Sequence, residues 1–78
     1  MKYEILKTDF KTLENTKVYR IRALISFGNV QSGDLGGYIE AEGNLSQNGN
    51  AWVDANAHVY GDACVFDNAR VYGNACVF

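Results

Sequence analysis

Five consecutive blocks of six residues fill the end of this 78-residue chain: Asn50-Ala-Trp-Val-Asp-Ala, Asn56-Ala-His-Val-Tyr-Gly, Asp62-Ala-Cys-Val-Phe-Asp, Asn68-Ala-Arg-Val-Tyr-Gly and the shorter Asn74-Ala-Cys-Val-Phe. The first position is always Asn or Asp, the second Ala and the fourth Val. A fixed period constrains a fold strongly, because each unit must take the same local shape and bury its apolar side against its neighbours. Six is not a helical period, since residues i and i+6 point in different directions at 3.6 residues per turn. Ala and Val two apart do share one face of a short strand. The pattern therefore predicts that Ala51, Val53, Ala57, Val59, Ala63, Val65, Ala69, Val71, Ala75 and Val77 face inward. Trp52, His58, Cys64, Arg70 and Cys76, at the third position, are predicted to face outward. The Asn or Asp opening each block suits a corner, because its short side chain bonds nearby backbone, and Gly61 and Gly73 ease the same bend.

Strands that turn every sixth residue and repeat predict an all-β protein built as a β-solenoid. The less regular block Asn44-Leu-Ser-Gln-Asn-Gly leads in, which divides one compact domain into a repeat region, 44–78, and an N-terminal cap with lead-in loops, 1–43. In the cap, Lys2–Lys7 and Lys17–Leu24 read as strands, with Tyr19, Ile21 and Ala23 alternating against Arg20 and Arg22. They are expected to pair as a hairpin. Thr8–Thr16 is polar and reads as a loop or a short turn of helix. Ser26–Gly37 reads as a second loop, with Gly28-Asn29 and Gly33-Asp34 as turn signals. Gly33-Asp-Leu-Gly-Gly has neither the spacing nor the lysine of a phosphate-binding loop.

The Val-x-x-Asn-Ala-x hexapeptide resembles the repeat of single-stranded left-handed β-helix proteins, in which three hexapeptides make one triangular coil. Within that group the chain is most similar to the YdcK-like proteins, often phage- or prophage-encoded and described from their repeat as polymer-forming or transferase-like. Tyr19-Arg-Ile-Arg-Ala-Leu, Gly33-Asp-Leu-Gly-Gly-Tyr-Ile and Asn44-Leu-Ser also resemble the lead-in region of that group. The resemblance implies a left-handed β-helix with eighteen residues per coil, capped by the N-terminal hairpin. Identities recurring every twelve residues (Tyr60/Tyr72, Gly61/Gly73, Cys64/Cys76) keep a two-sided coil of twelve open, although the resemblance favours three sides. On three sides Trp52 lies one coil below Arg70, which predicts a cation–π contact.

Chemistry is scarce. The related acyltransferases use a catalytic histidine from a long loop or a neighbouring subunit, and carbonic anhydrases on that fold use three zinc-binding histidines. This chain has one, His58, at the permissive outward position and without an orienting partner in the sequence. His58, Cys64 and Cys76 fall on two different faces of an eighteen-residue coil, which argues against zinc, and Cys64 and Cys76, twelve apart, fall on separate faces, which argues against a disulfide. No catalytic residue, cofactor or metal is expected. Both cysteines are expected as free thiols, and two cysteines with no signal-like or membrane-length apolar run place the chain in the cytoplasm, the host's if phage-encoded. The net charge of −2 divides into +3 over residues 1–24 and −5 over 25–78. The basic residues alternate with apolar ones, as on a solvated strand face, so direct binding to nucleic acid is not expected.

Function then rests on surface. The leading expectation is a non-catalytic structural or protein-interaction module presenting rows of aromatic and Asn side chains, with Tyr60, Phe66, Tyr72, Val77, Phe78 and Trp52 as interface candidates. Residues 44–78 make just under two coils, so either the natural protein continues past Phe78 or the chain forms a homo-oligomer, most simply a twofold dimer through an open C-terminal coil. A host protein is the other partner considered, and no membrane is. The alternative is a small phage-encoded inhibitor of a host enzyme or nuclease, using the acidic half to imitate nucleic acid. A fragment of a hexapeptide acyltransferase ranks last.

Overall fold

A computed structural model describes residues 1–78. Strand β1, Tyr3–Leu13, folds back antiparallel on β2, Thr16–Ala23. Glu14 and Asn15 make the turn with positive φ angles of 46° and 73°. Two left-handed residues give a turn whose twist matches that of the flanking strands, so β1 extends to Leu13 and the loop or helical turn expected over Thr8–Thr16 is replaced by strand. The hairpin itself is as expected, with Ile21 and Ala23 buried and Arg22 exposed. Strand β3, Leu35–Ile39, adds antiparallel to β2. It begins inside the segment read as a loop.

A 3₁₀ turn, Glu42–Asn44, leads into four two-residue strands: β4 (Trp52–Val53), β5 (His58–Val59), β6 (Arg70–Val71) and β7 (Cys76–Val77). The left-handed β-helix expected from the repeat does not form. The strands make one open, mixed five-stranded sheet in the order β1-β2-β3-β5-β7, with β4 and β6 as a separate parallel pair, and no sheet closes or runs as a solenoid wall. The parallel pairs of the repeat join residues eighteen apart, Trp52 with Arg70 and His58 with Cys76, not twelve apart. A third row, Leu45 beside Val65, is only a bridge. The reason is one of scale. Two-residue strands carry too few ladder bonds to impose their own architecture, so the long hairpin sets the main sheet and the repeat extends it. With extents of 32 × 23 × 21 Å, the molecule is no rod.

The apolar centre draws on both halves: Tyr3, Ile21, Val30 and Ile39 pack with Leu45, Ala51, Val53, Ala57, Val59 and Val65. Burial of the repeat fades along the chain. Of the ten residues expected inside, Ala51, Val53, Ala57, Val59 and Val65 are buried, Ala63 and Val71 are half-buried, and Ala69, Ala75 and Val77 are exposed. Inner-facing residues are covered only where an earlier segment lies across them, and the N-terminal hairpin and its loops cover the first blocks. No helix is long and apolar enough to cross a membrane.

Candidate interaction edge

Parallel register places like positions of the repeat side by side. Tyr38 of β3, His58 of β5 and Cys76 of β7 lie in one row across the sheet. The Tyr38 and His58 rings stack at 5.5 Å and 22°, and the His58 Nδ1 lies 3.7 Å from the Cys76 Sγ. The His58 Nε2 is buried without a hydrogen-bond partner. Burial, with help from the Lys11 charge, pushes the imidazole below its ordinary pKa, so the ring is neutral at neutral pH. Two residues along, Tyr60 and Phe78 stack at 5.2 Å and 15°. No third His, Cys, Asp or Glu gathers with the His58–Cys76 pair. Cys64 and Cys76 are both free and exposed.

The five-stranded sheet ends in β1 on one side and β7 on the other, and the two edges differ in chemistry. The β1 edge carries Lys7, Asp9 and Lys11, and its pairing with β2 slips between Leu6 and Phe10. Charges and a bulge are the usual protection of a sheet edge. The β7 edge has neither: Cys76 and Val77, and the residues that lead to and follow them (Tyr72-Gly-Asn-Ala and Phe78), bear no charged side chain. Phe78, directly after β7, is 79% exposed, and Phe66 and Tyr72, elsewhere in the repeat, are 57% and 67% exposed. Four of the sequence-predicted interface residues (Phe66, Tyr72, Val77 and Phe78) are thus exposed, and Tyr60 is half-buried under Phe78.

Trp52 is not at that surface. It is 2% exposed, packed edge-on to Phe27 at 5.3 Å and 70°. The outward position expected for Trp52 is not what the fold gives it: its ring joins the buried apolar centre, with Phe27 of the Phe27–Val30 loop packed against it. Arg70 pairs with Trp52 in register, yet its guanidinium bonds the Asp54 carboxylate at 2.9 and 3.0 Å rather than covering the indole. Beside these residues lies an open groove of about 480 Å³, lined among others by Val30, Leu35, Trp52, Asp54, Asn56 and Arg70. Its charges are already engaged, Arg70 with Asp54 and the Asp34 carboxylate with the Gln31 N–H. The groove is therefore a weaker candidate than the β7 edge.

The basic residues of the hairpin lie over aromatic rings: the Lys7 ammonium is 4.6 Å from the Tyr19 ring centre, Lys11 4.8 Å from Tyr38 and Lys17 4.7 Å from Phe10. No signal in the alternation distinguished this from a plain solvated face. Comparison with protein-family models and with curated proteins finds no match for this chain.

Proposed function

We propose that this chain is a non-catalytic protein-interaction module that pairs through its β7 edge with a second copy of itself. The observation that carries the reading is the asymmetry of the two sheet edges, one guarded by lysines and a bulge, the other without charged side chains and followed directly by the exposed Phe78. A free strand edge offers unpaired N–H and C=O groups to another strand. Twofold pairing sets β7 antiparallel to its own copy, and because no side chain of β7 is charged, no like-charge side-chain pair opposes it. Apolar side chains beside the edge then lose solvent on both copies, at about 25 cal/mol per Å² of apolar surface. The two exposed thiols fit a reducing compartment such as the cytoplasm.

Light scattering on the whole chain tests the reading, with a dimer expected at micromolar concentration. Val77→Lys with Phe78→Lys puts charge on the edge without touching a buried residue, and it should give a folded monomer by circular dichroism. A monomeric wild-type chain at about 100 µM would reject the proposal, since weaker pairing falls outside the range of specific homodimers.

A further inference from the structure

We infer that Cys76 is a thiol-modification site, activated by His58 toward exchange with small disulfides, and that Cys64 is not. The two cysteines occupy the same block position in different blocks, and both are exposed, so sequence position and access do not separate them. Their neighbours do. The Cys76 Sγ lies 3.7 Å from the His58 Nδ1, within hydrogen-bonding reach for sulfur, whereas the Cys64 thiol has no hydrogen-bond partner. The imidazole is held in place by the Tyr38 ring stacked on its face.

The tautomer follows from the other nitrogen. His58 Nε2 is buried and finds no acceptor. A proton there would be an orphaned buried N–H, which folded proteins avoid more strictly than an unmatched acceptor. The single proton of the neutral ring therefore sits on Nδ1 and is donated toward Sγ. The Cys76 sulfur is thereby oriented by an N–H that Cys64 lacks, and sulfur is the nucleophile in exchange.

The step balances with one named co-reactant, a low-molecular-weight disulfide of the glutathione type. The Cys76 proton passes to water. The thiolate attacks one sulfur of the disulfide, a new bond forms between that sulfur and Sγ, and the original S–S bond breaks. The leaving sulfur departs with the electron pair as a thiolate and takes a proton from water, so the Cys76 sulfur is oxidised while the leaving sulfur is reduced. His58 keeps its proton throughout and acts as a positioning residue.

The test uses glutathione disulfide with the Cys64→Ser and Cys76→Ser variants, each reporting the other cysteine by intact mass. In the folded protein Cys76 should be modified at least about fivefold faster than Cys64, and in urea the two rates should converge. His58→Phe, which keeps a ring against Tyr38, should bring the folded rates within about twofold while the Cys64 rate stays constant. Equal folded rates in the two single-cysteine variants overturn the inference outright. So does an advantage for Cys76 that survives His58→Phe. If the Cys64 rate rises in His58→Phe, the substitution has loosened the fold, and His58→Asn replaces it with the same outcomes deciding. The readout is independent of oligomeric state, because Cys64→Ser at nanomolar dilution gives the Cys76 rate in the absence of any dimer.

Discussion

Asn44 shows how a single side chain joins distant segments. It is 3% exposed, and its amide is fully used: Oδ1 accepts the backbone N–H groups of Glu40 and Ala41 at 3.1 and 2.9 Å, while Nδ2 donates to the carbonyls of Gly61 and Ala63 at 3.1 and 2.8 Å. Asn44→Ala removes four hydrogen bonds to partly buried backbone groups, which water can partly replace, and should cost about 1–3 kcal/mol in urea melts. Asn at this position was legible as a corner residue, but a partner seventeen to nineteen residues away was not. Gln47 is similar. It stands where the repeat would place Val, and its Oε1 accepts the N–H groups of Lys2 and Tyr3 at 2.8 and 3.2 Å, so the break in the pattern is a clasp on β1. Tyr3 supplies a pH-dependent test. Burial, reinforced by Glu42 and Cys64, holds its phenol well above the ordinary value of 10.0. The folded state therefore keeps a proton that the unfolded chain releases, and the stability present below pH 10 falls as pH rises beyond it. Lys2, whose ammonium donates to the Ala51 carbonyl at 2.8 Å, is shifted down by burial and acts oppositely, adding stability as pH rises toward 10.5. Above that value only the Tyr3 loss continues. Tyr3→Phe should flatten the alkaline decline measured by urea melts, while costing about 1 kcal/mol at neutral pH for the lost bond to the Leu45 carbonyl.

At the scale of elements, the hairpin was readable because Tyr19, Ile21 and Ala23 alternate with arginines, whereas its turn was not. Glu14-Asn15 lacks the glycine that usually marks a two-residue turn, yet both residues take left-handed angles. That conformation costs a residue with a side chain about 1–2 kcal/mol, so Glu14→Asn should stabilise the protein by up to about 1 kcal/mol. An unchanged or lowered melting temperature would count against the turn. Strand β3 was misread for a related reason. Gly36 and Gly37 look like loop residues, but they are buried strand residues that let β3 lie against the repeat. A Cβ on Gly37 would come closer than 3.0 Å to the carbonyl oxygens of Asp54 and Ala57. Backbone oxygens cannot step aside as a flexible side chain can. Gly37→Ala should therefore destabilise by about 2–3 kcal/mol or more, the range for overpacking. Gly43→Ala, where a Cβ meets nothing within 4 Å, is the matched control and should cost little.

At the scale of the whole molecule, the repeat foretold the inward residues of its first blocks but not that Ala69, Ala75 and Val77 would be exposed, because a period constrains each unit and says nothing of the segments laid across it. Leu45, Val53, Val59 and Val65 are buried in a centre shared with Tyr3, Ile21, Val30 and Ile39. The two halves are stitched by polar bonds as well, from Lys2 to the Gly49 and Ala51 carbonyls and from Gln47 to the β1 backbone. If the six-residue blocks held themselves together, residues 44–78 would fold alone. Their own pairing amounts to the two-residue ladders β4-β6 and β5-β7 with one bridge, far less than an independent sheet requires. A synthetic peptide of residues 44–78 should accordingly show no cooperative thermal transition by circular dichroism. Val65→Asp in the whole chain should remove the transition too, since it places an unpaired charge in the shared centre at a cost of several kcal/mol. A peptide 44–78 that melts cooperatively would mean that the repeat organises itself and the hairpin merely rests on it, and the shared centre would then lose its place as the source of stability.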